Sequence, residues 1–231
     1  MVVGSYYHIG VFCARCFFGI YCISMDPLQS LFYVCVLIMS VVAHEVAHGF
    51  AAYFMGDMTA LHQGRLTFNP LKHLDPLGSV ILPLLLVISG AGFVIGWAKP
   101  VPYNPLNLRN YRWGTILVAS AGIITNLFLA LIFGLFMRFA PNLGITSPGV
   151  YTISATIVIV NCVLALFNLM PIPPLDGSKI LFALLPNSFR RYEYLLEKYG
   201  FVLVLIFVFF GWKLITPLVF KMFTFFSGAV L

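Results

Sequence analysis

Long apolar runs dominate this sequence, and they are long enough to cross a lipid bilayer as helices. The clearest runs cover residues 28–55, 114–139 and 150–170, and a further apolar segment begins at Phe201. A helix needs about 20 apolar residues to span the hydrocarbon core. The composition agrees, since 61% of the 231 residues are hydrophobic and only 9% are charged. In a typical soluble domain about a quarter of the residues are charged. The sequence therefore predicts an all-α, polytopic transmembrane helix bundle that lies in a lipid bilayer.

The two ends of the chain are less regular. Residues 1–24 are apolar but short for a span and carry Arg15 at their centre, so we expect an N-terminal extension that forms an extra helix or lies at the interface. One membrane domain is predicted over residues 25–231. In the last apolar segment, Lys213 and Pro217 interrupt the apolar pattern, and the sequence leaves open whether this segment is one span or broken.

Polar connections separate the apolar runs. Residues 171–200 end in a charged helix predicted over about 188–198, and residues 97–113 hold three prolines and cannot be helical throughout. The net charge of +6 comes from basic residues that cluster in these connections, as the positive-inside rule expects. No basic run with interleaved aromatic residues is present, so we expect no nucleic-acid partner.

A metal-binding pattern lies inside the first apolar run. The stretch VVAHEVAHGFAAYF contains His44, Glu45 and His48 in the order H-E-x-x-H. Helix positions i and i+4 share a face, so the two histidines can reach one zinc ion. Glu45 lies about 100° round the helix, where its carboxylate can take a proton from a metal-bound water. The alternative is a pair of packing histidines beside a glutamate neutralised by burial, which costs several kcal/mol without a metal.

A catalytic zinc site usually needs a third protein ligand. Among the seven acidic residues of the chain, Asp176 stands out because it ends the stretch NLMPIPPLDG at 168–177. The prolines there stop the preceding helix and leave irregular backbone, which survives at membrane depth only where it is buried in protein or lines a wet cavity. His73 is weighed as a ligand too, but a turn residue that caps its neighbours is the favoured interpretation.

These motifs resemble the site-2 family of intramembrane zinc metalloproteases, whose signatures are HExxH and an NxxPxxxxDG segment. GRLTFNPLKHLDPLGS at 64–79 and GWAKPVPYNPLNLRN at 96–110 are similar to the compact bacterial and archaeal members, which lack PDZ or CBS domains. The chain departs from the family at Ile123, where the family has a proline.

The resemblance implies the roles of individual residues. His44, His48 and Asp176 would bind one zinc ion, Glu45 would be the general base, and Asn168 would hold the substrate carbonyl or its oxyanion. An amide N–H in a low-dielectric site stabilises developing negative charge, which supports the role of Asn168. A capping or interhelical hydrogen bond is the equally weighted alternative for Asn168. For Asn126 we favour packing or support of the site.

The zinc ligands must meet at one depth in the membrane, and this restricts the topology. The helices over 28–55 and 150–170 must then run in the same direction, with an odd number of spans between them. Because the helix over 114–139 is one span, residues 77–96 should form a re-entrant or partly extended segment. The connections on the metal side carry most of the basic residues, whereas 140–149 has none. We therefore expect a multi-pass protein of the cell (inner) membrane, with its site towards the cytoplasmic half.

The predicted activity is that of a metalloendopeptidase that hydrolyses a peptide bond within or near a transmembrane segment of a membrane protein. Glu45 would activate zinc-bound water, and the extended part of 77–96 could pair with an unwound substrate. Two alternatives use the same residues: a metal transporter or sensor, and a catalytically inactive protease-like protein that binds membrane helices. A transport site has no need of a base beside a ligand, so Glu45 argues against the first.

Overall fold

The computed structural model describes residues 27–81, 85, 88 and 98–229. The N-terminal extension predicted over 1–24 lies outside the described residues. The α-helices in chain order are α1 (Pro27–Phe54), α2 (Thr59–His62), α3 (Tyr111–Phe139), α4 (Pro148–Asn168), α5 (Asp176–Leu184), α6 (Arg190–Ile206) and α7 (Trp212–Ser227). Short 3-10 turns cover Pro70–Lys72, Pro105–Asn107, Ala140–Leu143 and Asn187–Phe189, and π-helical turns cover Pro76–Ile81 and Phe207–Gly211.

Four helical stretches of the described part are long and apolar enough to cross a membrane. They are Leu31–Phe54, Tyr111–Leu143, Pro148–Asn168 and Arg191–Ser227. The predicted all-α, polytopic membrane bundle is thereby confirmed. Many large apolar side chains are exposed, among them Phe128, Phe210 and Leu214, which is the surface that a surrounding bilayer covers.

Helix α3 occupies the centre of the bundle and packs against α1, α4, α5 and α7. The largest apolar core lies between α3, α4 and α7, where Ala130, Val158 and Phe223 are almost fully buried. This core fixes the axes of α3 and α4. Since α1 packs on the same two helices, the residues of α1 that carry the metal-binding pattern face the bundle interior.

The last part of the chain differs from the sequence prediction. The helix expected over 188–198 continues into the apolar segment as α6, and a π-helical turn joins it to α7. The interruption that Lys213 and Pro217 suggest is not found, because α7 contains both residues. Membrane helices tolerate proline where local π adjustments and Ser or Thr side chains satisfy freed backbone groups. Pro217 lacks the N–H that would bond the carbonyl of Lys213, four residues earlier, and the helix nevertheless continues to Ser227.

The connection between α1 and α3 begins and ends on one side of the bundle. The N–H of Arg109 donates to the carbonyl of Met55 at 2.9 Å, and Leu74 and Ala98 form an antiparallel bridge. The ends of the intervening chain therefore meet, as the re-entrant prediction for 77–96 requires. Of that segment, Pro76–Ile81 forms the π-helical turn, and most of the remainder lies outside the described residues.

Candidate metal centre

The structure brings His44, His48 and Asp176 together in the bundle interior. His44 and His48 lie on the same face of α1, and Asp176 is the first residue of α5. The exposed fractions of the three residues are only 5%, 7% and 4%. Four-residue spacing on α1 brings the two histidines together, and the chain reversal after α4 brings Asp176 to them. Three residues of the two types that zinc commonly binds, His and Asp, therefore meet at one buried point.

The three ligand atoms form a nearly equilateral triangle. Nε2 of His44 and Nε2 of His48 lie 3.0 Å apart, and Oδ2 of Asp176 lies 3.1 Å from the first and 3.0 Å from the second. Tetrahedral zinc with bonds of about 2.0–2.1 Å separates its ligand atoms by about 3.3 Å. The triangle therefore fits three corners of a zinc tetrahedron and leaves the fourth for water or substrate.

The other nitrogen of each histidine ring is held by a hydrogen bond. Nδ1 of His48 lies 2.7 Å from the carbonyl oxygen of Val118, which can only accept, so the proton of a neutral His48 ring resides on Nδ1. Nδ1 of His44 lies 2.6 Å from Oδ1 of Asn126. Both rings consequently point an Nε2 lone pair at the same place. Two lone pairs at 3.0 Å repel each other unless a cation lies between them, which is a second reason why a metal fits.

A buried polar network determines how Asn126 is oriented. The amide of Asn161 donates to the Ser40 hydroxyl at 3.0 Å and to the Ile157 carbonyl at 2.9 Å, so its oxygen faces Asn126. Asn126 donates to that oxygen at 2.8 Å and turns its own Oδ1 towards His44. Asn126 therefore supports the site by holding the His44 ring, as the sequence predicts, and residues of α1, α3 and α4 all contribute to the network.

A missing side chain makes room for His44. A Cβ atom at Gly122 of α3 would lie 2.5–2.6 Å from three atoms of the His44 ring, which is closer than real atoms approach. Gly177 has a comparable role beside Asp176, since a Cβ there would lie 2.1 Å from the Leu169 carbonyl oxygen. Helix α5 can therefore start directly beneath the end of α4 only because the residue after Asp176 is glycine.

Lys179 contacts the second oxygen of the Asp176 carboxylate. The Lys179 ammonium lies 3.0 Å from Oδ1 of Asp176, one helical turn along α5. Burial lowers the pKa of Lys179, but the negative charge of Asp176 outweighs this and raises the pKa, so Lys179 stays protonated. The ion pair leaves Oδ2 as the oxygen that faces the histidines.

Glu45 and Asn168 were predicted to be catalytic, and they have different surroundings. Oε2 of Glu45 accepts a hydrogen bond from the Val101 N–H at 2.8 Å, which places the carboxylate beside the non-helical chain after Ala98. Asn168 is the last residue of α4, and its amide donates to the Leu164 carbonyl at 2.9 Å within the same helix. That bond lies within one helix, so it is not the interhelical bond weighed as the alternative for Asn168, and it leaves the second amide hydrogen for a ligand.

Several supporting residues were not identified from the sequence. Ser40 and Asn161 carried a usable signal, since polar residues in apolar runs are expensive and need a structural or functional reason. Lys179 is close in sequence to Asp176, so an i to i+3 ion pair could have been proposed. The Val118 carbonyl and the Val101 N–H are backbone groups and have no signature in the sequence.

His73, which was weighed as a ligand, is buried apart from the three candidate ligands. Its Nε2 lies 2.8 Å from the Thr67 carbonyl oxygen.

Comparison with known proteins gives a consistent result. Residues 142–209 match the model of peptidase family M50. The chain is 42% identical over 187 residues to the predicted zinc metalloprotease YwhC of Bacillus subtilis, an alignment that covers 78% of this chain and 81% of the relative. It is 32% identical over 209 residues to the predicted zinc metalloprotease Rip2 of Mycolicibacterium smegmatis, covering 84% of this chain and 73% of that protein. No solved structure matches the chain significantly.

Proposed function

The chain belongs to peptidase family M50 and is a multi-pass membrane zinc metalloprotease; from this premise we propose that it is an intramembrane endopeptidase. Its reaction is the hydrolysis of a peptide bond within or near a transmembrane segment of a membrane protein. One observation carries the proposal: the triangle of His44, His48 and Asp176 lies buried between helices that are long enough to span the bilayer. A protease whose centre is buried in this way acts on chains that are themselves in the membrane.

The proposed mechanism assigns one role to each group. His44, His48 and Asp176 hold the zinc ion, and Glu45 is the general base. Zinc, when bound, acts as a Lewis acid that polarises the substrate carbonyl and lowers the pKa of water to about 7. Glu45 takes a proton from the attacking water and then delivers it to the leaving amine. Asn168 uses its remaining amide hydrogen to stabilise the negative charge that develops on the substrate carbonyl oxygen.

The substrate must present an exposed backbone to these groups. In a membrane helix each carbonyl is hydrogen-bonded within the helix, so a transmembrane substrate has to unwind locally before attack. The non-helical chain that follows the antiparallel bridge at Ala98 and runs to Tyr103 lies beside Glu45. We assign to this chain, and to the segment before it, the pairing with an unwound substrate, since β-addition recognises backbone and tolerates varied side chains.

The orientation of the protein is part of the proposal. The connections on the metal-centre side contain most of the basic residues, namely Arg65, Lys72, Lys99, Arg109, Arg112, Lys179, Arg190 and Arg191. The opposite connection over 140–149 contains neither Lys nor Arg. By the positive-inside rule the metal-centre side is cytoplasmic, and the peptide bond is cut in the cytoplasmic half of the membrane.

The test compares the wild-type chain with Glu45→Gln. Both proteins are purified, assayed for zinc and reconstituted with a tagged single-span membrane protein whose transmembrane segment has a central, helix-destabilising Gly-Pro pair. We expect one zinc per chain in both and cleavage only by the wild type, because glutamine cannot accept the proton. Equal cleavage by both proteins contradicts the mechanism. Stoichiometric zinc with cleavage by neither contradicts the endopeptidase proposal and favours a metal transporter, a sensor or an inactive helix-binding protein.

A further inference from the structure

Arg65 is a buried cation that joins two loops. Only 7% of the residue is exposed. One terminal nitrogen of its guanidinium donates to the carbonyls of Lys99 and Pro100 at 2.8 and 3.1 Å, and the other donates to the carbonyl of Lys72. A guanidinium offers its donors in a rigid planar fork, so it binds both loops at once, whereas an ammonium is a single point of attachment. Arg65 therefore fixes the loop over 98–101 against the turn at 70–72.

The residue after this attachment contacts the proposed general base. Val101 follows Pro100 directly, and its N–H donates to Oε2 of Glu45 at 2.8 Å. One oxygen of the Glu45 carboxylate is thereby held in place, and the other remains to accept a proton. Because the Lys99 N–H also donates to the His73 carbonyl at 2.8 Å, the loop is bound on both sides immediately before it reaches Glu45.

Close packing on α1 keeps this loop near Glu45. Gly49 lies one helical turn after Glu45, and a Cβ there would lie 2.5 Å from Leu66 and 2.9 Å from Val101. Val101 is 5% exposed. Leu66, the neighbour of Arg65, and Val101 thus pack together into the notch at Gly49, so displacement of one affects the other.

We propose that Arg65 is a positioning residue for Glu45, acting through the Val101 N–H. This inference rests on the proposed role of Glu45 as the general base. Without the guanidinium fork, the loop over 98–101 loses its fixed position and the Glu45 carboxylate loses its orientation towards the attacking water. A displacement of about 1 Å at such a position can lower a rate by about 100-fold. The zinc ligands should not be affected, because Asn126, Val118 and Lys179 hold them.

The inference is tested with Arg65→Lys and Arg65→Met in the full chain, using the membrane substrate described above. We expect kcat to fall about tenfold or more in both variants, with KM within about twofold of the wild type, with zinc content unchanged and with both variants still folded at the assay temperature. Arg109→Lys is the matched control. Arg109 is an exposed arginine on the same side of the bundle, and this variant should keep the wild-type kcat.

A double variant tests whether Arg65 acts through Val101. Val101→Pro removes the N–H that Glu45 accepts and retains an apolar side chain. The variant with both Arg65→Met and Val101→Pro should have about the same kcat as Val101→Pro alone. Any of three results overturns the inference: the effects of the two substitutions on kcat multiply in the double variant, Arg65→Lys keeps the wild-type kcat, or the fall in kcat simply tracks a loss of zinc or of folded protein. If Glu45→Gln is inactive while Arg65→Lys is normal, only this inference fails; if Glu45→Gln is fully active, the proposed function fails.

Discussion

Asn126 illustrates how the metal centre and the apolar bundle depend on each other. A buried amide in an apolar helix costs free energy unless its donors and acceptor are all bonded. Asn126 bonds His44 and Asn161, and it also lies 3.5 Å from the Ser40 carbonyl. The network is therefore largely satisfied before any metal binds, and what it supplies is a His44 ring in one tautomer and one orientation.

Replacement of Asn126 should weaken zinc binding while the bundle stays folded. In Asn126→Leu the Nδ1 of His44 has no acceptor, so the ring is free to rotate or to change tautomer. Loss of such a supporting bond typically lowers metal affinity about 10- to 100-fold. Asn126→Asp retains an acceptor and should bind zinc at least as tightly as the wild type. Competition with a fluorescent zinc chelator measures both affinities, and equal affinity in Asn126→Leu and the wild type would contradict the assigned role.

At the residue scale the sequence predicts the candidate ligands better than the residues that support them. The His44 and His48 pair follows from helical geometry alone, and Asp176 follows from a proline-broken helix end in an apolar chain. Residues such as Asn161 lie far from the motif in sequence, and only the packing of α4 on α1 and α3 brings them to the site. The hold on Glu45 comes from a backbone N–H, which every residue except proline possesses.

Among the elements, the turn after α1 depends on a single carboxylate. Asp57 is fully buried and accepts hydrogen bonds from the Thr59 N–H and hydroxyl, from the Asn104 N–H at 2.6 Å and from the Asn107 amide at 2.9 Å. Burial raises the pKa of Asp57, but the bonds from Thr59, Asn107 and Asn104 outweigh it and hold the pKa below its usual range. Asp57 thereby joins the start of α2 to the loop before α3.

Asp57→Asn should destabilise the chain in a pH-dependent manner. Hydrogen bonds to a charged group contribute more than neutral ones, so we expect a loss of about 2 kcal/mol at neutral pH. Because the folded pKa is lowered, the carboxylate stabilises the protein above the unfolded pKa of about 3.9 and this contribution is lost as the pH falls through the folded pKa. The difference in thermal unfolding temperature between the two proteins, measured in detergent, should therefore be larger at about pH 7 than at about pH 3. Glu197→Gln, at an exposed position, is the control; a gap that does not change with pH would contradict the assignment.

Helix positions were predictable wherever apolar runs have polar ends. The runs over 28–55, 114–139 and 150–170 correspond to α1, α3 and α4 within a few residues. The helices of the C-terminal region were not predictable in this way. Charged residues and Pro217 suggest an interruption there, whereas the helix continues through a π turn. A proline interrupts a helix in water, but in lipid the cost of exposed backbone favours continuing it.

For the whole molecule, the four candidate spans and the location of the metal centre constrain the topology jointly. His44 and His48 lie in the second half of α1, and Asp176 lies just beyond the end of α4, so α1 and α4 run in the same direction. Helix α3 runs the opposite way between them. The ends of the segment between Leu74 and Ala98 meet. The connection after α1 and the one after α4 therefore share one face of the membrane, and the turn at Ala140–Leu143 lies on the other.

Cysteine labelling in cells can test this arrangement and its orientation together. Asn142 and Ser188 are both exposed, and each lies in a short 3-10 turn, one on either face of the bundle. With the five native cysteines replaced by alanine or serine, Asn142→Cys should react with a membrane-impermeant maleimide in intact cells. Ser188→Cys should react only in inside-out vesicles, because the proposed orientation places the basic connections in the cytoplasm. The reverse pattern would overturn the cytoplasmic orientation but not the fold, whereas labelling of both from one face would contradict the parallel course of α1 and α4 on which the metal centre depends.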